Sequence, residues 1–370
     1  MRVLMFYHSL VSDWNHGNAH FLRGIASELI SRGHAVCIYE PENSWSRQNL
    51  IEREGQSSIE AFHSSYPFLR STVYDIDSFD FDTALDGADL VLVHEWNSPE
   101  LIQKLGDLRS ERNDFVLFFH DTHHRLSMTP FEMAGVILRN YDGVLAFGKV
   151  ISDFYRDRQN IENVWTWHEA ADTRIFYPRK SETTGDLVWI GNWGDGERTQ
   201  ELENFLFKPI EYLGLEASIY GVRYPEEAKK RLAEANIFYG GWIANYRAPE
   251  IYSQYLFTVH IPRRHYVESL PGIPTIRVFE ALACGIPLLS TFWEDEEELF
   301  TAGKDFLIAK NEFEVRKWMK ALSNEPALRA ELSTHGRQTI LKRHTCRHRV
   351  DELLYIYHSY KSREVRCIPA

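Results

Sequence analysis

The sequence predicts an α/β protein made of two Rossmann-like, doubly wound domains that face each other across a cleft, and two observations carry this prediction. Short apolar runs, typical of strands buried on both faces, alternate with amphipathic stretches at helical spacing. The alternation begins again after a polar linker at residues 179–186. A chain of 370 residues is also longer than one hydrophobic core usually serves.

In the first half of the chain, apolar runs are predicted to be strands and amphipathic stretches to be helices. The strands are Arg2–Tyr7, Ala35–Tyr39, Leu90–His94, Phe115–His120, Gly143–Phe147 and Asn163–Trp167. The helices include Ala19–Gly33, Pro99–Leu108 and Lys149–Arg156. Residues 42–80 have no clean period, so we predict a surface insertion that carries short helices there.

The second half repeats the pattern. Its predicted strands are Leu187–Ile190, Ala217–Gly221, Phe257–Ile261 and Pro287–Thr291. Its predicted helices are Glu197–Leu213, Pro225–Ala235, Pro249–Tyr255, Glu312–Leu322 and Pro326–His344. We place the two domains at 1–180 and 186–344, followed by an amphipathic tail at 345–370.

Composition and charge disfavour several classes of partner. The formal net charge of −12 argues against broad binding of nucleic acids or anionic membranes. The four cysteines are scattered without a CxxC pair, as in a cytosolic protein with reduced thiols. Neither a leader-like apolar segment nor a run long enough to span a bilayer is present, so we expect a cytoplasmic protein.

Polar residues follow the ends of several predicted strands. Because ligands of open parallel α/β sheets bind beyond the carboxyl ends of the strands, these residues are candidates for a site. They are His8, His94, Glu95, His120, Asp121, His168, Glu169, Gly191, Asn192, Tyr220 and Gly221.

The segment Gly191–Arg198, GNWGDGER, follows a predicted strand and leads into a helix. Its backbone N–H groups suit a phosphate, with Arg198 as a fixed cation. The alternative is a flexible turn with a solvated arginine. The chain has neither a P-loop motif nor a GxGxxG motif that opens a helix, so nucleotide hydrolysis by a P-loop and ordinary dinucleotide-dependent dehydrogenation are both unsupported.

The segment FFHDTHH places His120 and His124 four residues apart. Because the two histidines straddle a strand-to-loop transition, the facing expected on a helix does not apply, and we expect no metal site. The remaining interpretations are a contact between His120 and a sugar, or a plain loop.

The segment Gly272–Glu280, GIPTIRVFE, follows Arg263 and Arg264 and predicts a loop that leads into a helix. The amides of the first turn, Thr275 to Arg277, suit a diphosphate, and Glu280 one turn further suits ribose hydroxyls. The alternative is a structural Arg277–Glu280 pair at i,i+3 spacing, which contributes only a few tenths of a kcal/mol when exposed.

Four segments in this order resemble the GT-B glycosyltransferases, specifically the family 4-like and spore-maturation CgeB-like branch. They are GNAHFLRGIASELISRGHAVCIYE, HEAADTRIFYP, RVFEALACGIPLLS and HTCRHRVDELL. The resemblance covers most of the chain and implies that a nucleoside-diphosphate sugar is bound mainly by the second domain and an acceptor mainly by the first. It also implies that the last helix crosses back to the first domain.

The resemblance assigns roles to residues of this sequence. It implies that Glu280 binds the ribose, that Arg277 and Arg198 contact the diphosphate, and that His120 approaches the donor sugar. The expected donor-binding set is Gly191, Asn192, Arg198, Arg263, Gly272, Thr275, Arg277 and Glu280. The expected first-domain residues are Gly17, Asn18 and His20 in the loop, and His120 and Asp121 in the catalytic centre.

The mechanism implied by the resemblance is metal-independent and needs no cofactor besides the nucleotide sugar. Retention is favoured, since the leaving phosphate then deprotonates the acceptor. An inverting enzyme needs a side-chain base instead, for which His16, His20, Asp121 and Glu95 are the candidates. The sequence departs from the E-x7-E pattern of family 4, because Gly272 stands where the first glutamate is expected.

Two other functions fit the same scaffold: a sugar-nucleotide epimerase, and a degenerate domain that binds nucleotide or glycan without turnover. Five tryptophans near predicted strand ends or loops either stack on sugars or, as we expect for most of them, pack in a core or a domain interface. They are Trp165, Trp167, Trp189, Trp193 and Trp242.

Overall fold

The computed structural model describes residues 1–14, 17–128, 133, 136 and 138–366, and it divides into two compact units. The first unit comprises Met1–His168 together with the residues from Cys346 onward. The second unit is the continuous segment Glu169–Thr345. No helix among the described residues is both long and apolar enough to cross a membrane.

The first unit alternates strands and helices. Its strands are β1 (Arg2–Phe6), β2 (Ala35–Pro41), β3 (Ser71–Tyr74), β4 (Leu90–His94), β5 (Val116–Asp121), β6 (Gly143–Ala146) and β7 (Val164–Thr166). The helices before the second unit are α1 (Ala19–Ser31), α2 (Trp45–Glu54), α3 (Ser57–Ser65), α4 (Phe81–Leu85), α5 (Pro99–Glu111), α6 (Arg125–Met128) and α7 (Lys149–Gln159).

The second unit repeats the alternation. Its strands are β8 (Gly185–Ile190), β9 (Ala217–Tyr220), β10 (Phe238–Gly241), β11 (Tyr255–His260), β12 (Leu288–Thr291) and β13 (Leu307–Ala309). Its helices are α8 (Thr199–Leu202), α9 (Lys208–Leu213), α10 (Glu226–Glu234), α11 (Ala248–Tyr252), α12 (Arg264–Glu268), α13 (Ile276–Cys284), α14 (Glu312–Asn324) and α15 (Pro326–Arg343). The chain then returns to the first unit as α16 (Cys346–Arg366).

Each unit contains one parallel sheet. The six strands of the second sheet are ordered like the first six strands of the first sheet, which has one strand more. The first has the order β3-β2-β1-β4-β5-β6-β7 and the second β10-β9-β8-β11-β12-β13. In each sheet the first strand lies between the second and the fourth. The chain therefore adds strands first on one side of this strand and then on the other. This doubly wound α/β topology confirms the predicted fold class and places a crevice beside β1 and beside β8.

Residues 42–80 contain short helices, as predicted, but they also contribute a strand to the sheet. They form α2, α3 and the strand β3, which pairs in parallel with β2 at the edge of the sheet. The pattern was missed because only Tyr74 of this four-residue strand is buried. An edge strand with one buried residue has no apolar run to reveal it.

The compact units divide after His168, and not at the linker predicted at 179–186. The backbone N–H of Ala171 donates to the carbonyl of His344 at 2.9 Å, and Ala171 forms a parallel bridge with Thr345. These bonds hold the segment that follows β7 to the end of α15. The polar linker therefore lies inside the second unit.

The last helix packs within the first unit. Arg32 at the end of α1 pairs with Asp351 at 2.6 Å, and the indole N–H of Trp167 donates to the carbonyl of Arg349 at 2.8 Å. Trp167 is fully buried, so α16 covers one of the largest side chains of this core. Trp189 is buried likewise in the second unit.

The helix predicted at Glu197–Leu213 is interrupted. A 3₁₀ turn at Asp195–Glu197 precedes α8, and a π-helical turn at Glu203–Phe207 separates α8 from α9. Pro209, near the start of α9, has no N–H to donate to a carbonyl of the preceding turn. The wider π turn accommodates that missing hydrogen bond.

Candidate active site

In the second unit, two glycines bring the ends of β8 and β9 into close contact. A Cβ atom on Gly221 would lie 2.0 Å from the carbonyl oxygen of Gly191. Gly191 N–H donates to the Tyr220 carbonyl at 2.8 Å, and the Asn192 side-chain oxygen accepts from Val222 N–H at 3.1 Å. The start of the predicted phosphate loop is therefore fixed to the neighbouring strand end, and only glycine fits at the crossing.

Arg198 braces this loop. Its guanidinium donates to the carbonyl of Ile261 at 3.1 Å and to that of Asn192, and it lies 5.1 Å from the ring centre of Trp189. Burial, and next the positive charge of Arg263, lower the Arg198 pKa to about 10. Arg198 thus links the loops after β8 and β11, and it is not the solvated arginine of the alternative interpretation.

His260, the last residue of β11, positions the loop before α13. Its Nδ1 lies 2.9 Å from Ser290 Oγ and its Nε2 lies 3.0 Å from Thr275 Oγ1. Burial, and next the charge of Arg198, lower the His260 pKa to about 3, so the imidazole is neutral at physiological pH. Sequence analysis overlooked His260, although it ends a strand as the other candidates do.

The N-terminus of α13 is open to an anion in its local geometry. Thr275 precedes the helix with extended backbone, its side chain does not cap the helix, and the first turn contains no acidic residue. Exposed first-turn amides and the positive end of the helix dipole attract a phosphate. The predicted phosphate-facing segment Thr275–Arg277 lies at this terminus.

Gly272 adopts φ +87°, in the left-handed region that favours glycine. A Cβ atom there would meet Glu296 only at 3.6 Å, so backbone conformation and not space restricts the position. This gives the departure from the E-x7-E pattern a physical cause, because a glutamate would be strained in this turn.

Glu280 is fully buried, and both of its carboxylate oxygens accept hydrogen bonds. Asn245 donates to one oxygen at 2.6 Å, and Arg277 forms a short ion pair with the other. The i,i+3 pair of the alternative interpretation is therefore present, with a buried carboxylate and a half-buried guanidinium. The pair fixes the Arg277 side chain one turn from the open helix end.

A second carboxyl group lies beside this pair. Glu169 is buried, and burial, followed by the negative charge of Glu280, raises its pKa well above the usual value, against the opposing charge of Arg277. Two carboxylates in one apolar environment do not both ionise. Burial and the neighbouring carboxylate thus favour the protonated form of Glu169.

Arg263 and Arg264 each pair with a glutamate of the segment that follows β8. Arg263 lies 3.1 Å from Glu197, and Arg264 lies 2.9 Å from Glu201. Both pairs are partly exposed, so they cost little to exchange for another anion. Arg263 thus stands near the predicted phosphate loop with a replaceable partner.

In the first unit, His120 ends the run FVLFFH on β5 and is fully buried. Its ring centre lies 4.8 Å from that of Trp167, 5.4 Å from His94 and 5.8 Å from Phe21. Neither ring nitrogen has a hydrogen-bond partner among the residues that the structure describes. Burial lowers the His120 pKa to about 3, against the nearby charge of Glu95, so the ring is neutral.

Asp121, the other predicted catalytic residue, is held by three donors. His124 donates from its backbone N–H at 2.6 Å and pairs through Nδ1 at 3.1 Å, and the Tyr155 hydroxyl donates at 2.6 Å. Burial alone raises the Asp121 pKa, but the His124 and Tyr155 contacts outweigh it and hold the pKa below its usual value. These contacts favour a positioning role for Asp121.

Glu95 organises the loop after β5. Its carboxylate accepts from Thr122 N–H at 2.7 Å, Thr122 Oγ1 at 2.9 Å, Arg125 N–H at 2.9 Å and the backbone N–H of His123. Glu95 therefore fixes the backbone of Thr122, His123 and Arg125.

The first-domain loop residues lie next to this segment. Asn18 Nδ2 lies 3.1 Å from His123 Nδ1, Gly17 precedes it, and His20 is buried within α1. His16 lies outside the described residues. The structure therefore brings Asn18 to the loop that carries Asp121.

Two buried charged residues that sequence analysis overlooked hold the loop after β1. Arg23 donates to the carbonyls of Leu10 at 2.7 Å and Val11 at 3.2 Å. Glu40 accepts from the N–H groups of the same two residues. Of these two residues, only Arg23 could have been found from the sequence, because it is a charged residue on the buried face of a predicted helix.

Among the described residues, no group of three or more His, Cys, Asp or Glu side chains is placed to hold a metal ion. His124, one of the two histidines considered for a metal, pairs with Asp121. The two histidines thus have separate surroundings.

Comparison with known proteins agrees with this architecture. Residues 198–355 match the family described as glycosyl transferase-like. A glycosyltransferase from Rickettsia africae is similar in structure, with a TM-score of 0.64 and 11% identity over 97% of this chain and 98% of that one. An alpha-glucosyltransferase in complex with UDP-glucose and DNA has a TM-score of 0.69 and 15% identity over 97% and 99% of the two chains.

The chain has the GT-B fold of these glycosyltransferases. Sucrose-phosphate synthase from Thermosynechococcus elongatus is also similar, with a TM-score of 0.64 and 13% identity over 98% of this chain and 99% of that one. No curated protein matches the sequence. The CgeB-like branch stays a prediction.

In this fold, the expected donor-binding residues gather around the carboxyl ends of β8 and β11. Gly191, Asn192 and Arg198 form the loop after β8, Thr275 is tied to His260, and Arg277 is fixed by Glu280. Arg198 lies close enough to Arg263 and Arg277 to be affected by their charges. The expected catalytic residues His120 and Asp121 lie together in the other unit.

Proposed function

We propose that the protein transfers a sugar from a nucleoside-diphosphate sugar, bound by the second unit, to an acceptor hydroxyl, with retention and without a metal ion. The observation that carries the proposal is the open N-terminus of α13, flanked by Arg277 and approached by the braced loop after β8. An anion of the size of a diphosphate matches a helix terminus and fixed arginines.

Arg277 and Arg263 are the proposed diphosphate contacts. Both side chains are 28% exposed, and both are held by glutamates in the absence of ligand. Together with the helix dipole they balance the charge that develops on the leaving diphosphate, which is the role that a metal ion has in other transferases. Arg198, which donates to the backbone carbonyls of Ile261 and Asn192, supports the loop.

Retention is proposed because the two candidate carboxylate bases are occupied. Glu95 and Asp121 each accept three or more hydrogen bonds. In the proposed step the bond between the anomeric carbon and the phosphate oxygen breaks, and a bond to the acceptor oxygen forms on the same face. The acceptor proton passes to the leaving phosphate oxygen. His120, neutral and buried, is proposed to contact the donor sugar.

Glu280 is proposed to act through Arg277, whose guanidinium it positions. The ribose contact implied by family resemblance remains a prediction, as does a cytoplasmic location.

The test is release of nucleoside diphosphate from UDP-, GDP- and dTDP-sugars, together with calorimetric binding of the free diphosphates. Arg277→Ala is expected to weaken diphosphate binding by at least about tenfold. Arg247→Ala is the matched control, since Arg247 forms an i,i+3 pair with Glu250 on an exposed surface. Equal binding by both variants contradicts the proposed site. Formation of an isomeric sugar nucleotide indicates an epimerase, and binding without turnover indicates a degenerate domain.

A further inference from the structure

A large cavity lies in the first unit. Its volume is about 820 Å³, and its lining includes His8, Trp45, Asp75, Trp96 and Glu100. These residues follow β1, β2, β3 and β4, so the cavity occupies the carboxyl ends of the strands beside the crevice of this sheet. Pockets of this size accommodate ligands of one to several sugar rings.

The aromatic part of the lining is an angled pair of indole rings. The ring centres of Trp45 and Trp96 are 6.5 Å apart, with 66° between the planes, and both side chains are half-buried. Trp96 is held by Arg125, 4.7 Å from its ring centre, and by a hydrogen bond of its indole N–H to His123 at 3.2 Å. A fixed aromatic face lowers the entropic cost of binding the apolar face of a ligand.

Hydrogen bonds also hold the part of the lining around Trp45. Ser44 Oγ donates to the carbonyl of His8 at 2.9 Å, and the hydroxyl groups of Ser12 and Ser46 lie 3.0 Å apart. Trp45 stands between these two anchors at the start of α2. The cavity is therefore built before any ligand arrives.

The charges of the lining are mainly negative. Glu42, Asp75 and Glu100 are exposed carboxylates, and Arg125 is the cation of the lining. Arg125 donates to the carbonyl of Glu95 at 2.8 Å and lies over Trp96. Burial, and next the charge of Arg125, lower the pKa of His8 to about 4, so His8 adds no positive charge. An anionic ligand would be repelled here.

One buried polar residue of the lining, Asn97, offers an acceptor. Asn97 is buried and donates through Nδ2 to the carbonyls of Phe6 at 2.6 Å and His94 at 2.8 Å. These two bonds fix the amide, and its Oδ1 has no partner within the described part of the chain. A buried acceptor without a partner calls for a donor from a ligand or water.

We infer that this cavity is the acceptor site and that it takes a glycan without negative charge, either uncharged or amine-bearing. A sugar ring lies against Trp45 and Trp96, and its hydroxyl or ammonium groups donate to Asn97 Oδ1 and to the rim carboxylates. This inference rests on the proposed function, because it names the acceptor of that reaction. It also separates this protein from the alpha-glucosyltransferase whose structure contains DNA, an anionic polymer.

The test uses the full chain and calorimetry with maltotriose, cellotriose, chitotriose, a glucosamine trisaccharide and a short DNA duplex. At least one of the trisaccharides is expected to bind more tightly than the duplex. Trp45→Ala is expected to weaken that binding by about tenfold or more, and Trp45→Phe to restore part of it. Tyr355→Ala, which removes a 75% exposed aromatic of α16 in the same unit, is the control and is expected to change nothing.

A second set of variants tests the charge. Glu42→Gln, Asp75→Asn and Glu100→Gln combined leave folding unaffected, since all three residues are exposed, and they are expected to increase binding of the duplex. Glu111→Gln, an exposed carboxylate at the end of α5, is the matched control. Tighter binding of the duplex than of every trisaccharide by the wild type overturns the inference, as does trisaccharide binding that is indifferent to Trp45→Ala.

The outcomes separate this inference from the proposed function. Free UDP, the probe for the second unit, is expected to bind the Trp45→Ala variant as it binds the wild type. If a trisaccharide binds at Trp45 but no sugar nucleotide is turned over, the cavity assignment stands and the transfer reaction fails. If donor turnover is found and no trisaccharide binds, the cavity assignment fails alone.

Discussion

His260 Nε2 lies 3.0 Å from Thr275 Oγ1, so the end of β11 is tied to the residue that precedes α13. We expect Thr275→Val to leave this buried imidazole nitrogen without its partner and to destabilise the protein by about 1–3 kcal/mol. Diphosphate binding should weaken too, because the loop before α13 loses its anchor. Urea unfolding and calorimetry with UDP measure the two effects. Thr334→Val, on an exposed part of α15, is the control and should change neither quantity.

We expect substitution of Glu280 to weaken donor binding through Arg277. Glu280→Ala removes the acceptor of both Arg277 and Asn245, whereas Glu280→Gln keeps an acceptor for Asn245 and loses the charge. Binding of UDP should therefore decrease in the order wild type, Gln, Ala. Glu250→Gln alters an exposed i,i+3 pair of the same composition and should bind UDP normally. Undiminished UDP affinity in Glu280→Ala contradicts the role of this pair.

Glu169 should make the protein less stable as pH rises. Its pKa is raised by burial, so the folded state keeps the proton while the unfolded chain loses it above the ordinary value of 4.5. This contribution is complete below that value and is lost as pH rises toward the folded-state pKa. Glu169→Gln, which resembles the protonated acid, should flatten the decline in melting temperature between about pH 5 and about pH 8. An unchanged slope shows that Glu169 is ionised in the folded protein.

The buried histidines should limit stability in acid. His120 has its pKa lowered to about 3, so below the ordinary value of 6.5 the unfolded chain binds a proton that the folded state does not. As pH decreases below that value, the free energy of unfolding should decrease by about 1.4 kcal/mol per pH unit for each such histidine. His120→Phe preserves the packing on Trp167 and should remove one such increment, as measured by urea unfolding from about pH 6.5 to about pH 4. His335→Gln, at an exposed histidine, should leave the slope unchanged.

The crossing of Gly191 and Gly221 should tolerate no side chain. Gly221→Ala places a Cβ atom against the Gly191 carbonyl, a backbone group that cannot move aside without disturbing β8. We expect a loss of about 1–3 kcal/mol or more, together with weaker UDP binding. Gly196→Ala, in the same loop with nothing within 4 Å of the added atom, is the matched control. Equal stability of the two variants would show that the strand ends are not in contact.

The sequence predicted the interior strands and the edge strand β7 well, and it missed the other three edge strands. Every residue of β4 and β5 is buried, so each strand is a continuous apolar run. The strands β3 and β10 lie at sheet edges and are largely exposed or half-buried, so no apolar run identifies them. The strand β13, at the other edge, has only three residues. A central strand can therefore be recognised from its own apolar residues, whereas these edge strands are defined by their pairing with a neighbouring strand.

Contacts within the candidate site could be predicted where the two contacting residues are close in the sequence. The pairing of Arg277 with Glu280 follows from their spacing on one helix turn. The contact of Asn245 with Glu280 spans 35 positions, and that of Arg23 with Asp13 joins a helix to a loop. Such contacts depend on how elements pack, which periodicity does not reveal. Trp96, in contrast, follows the end of β4 and met the strand-end criterion that was applied to its neighbours.

The route of the chain has a consequence for biosynthesis. Glu169–Thr345 is one uninterrupted stretch, whereas the first unit needs α16, which is translated after it. On the ribosome, the second unit can therefore complete its core while the first still lacks the helix that covers Trp167. Truncation just before Cys346 should accordingly impair the half of the protein that is made first. A premature stop codon there would leave the second unit intact and the first unit exposed to proteases.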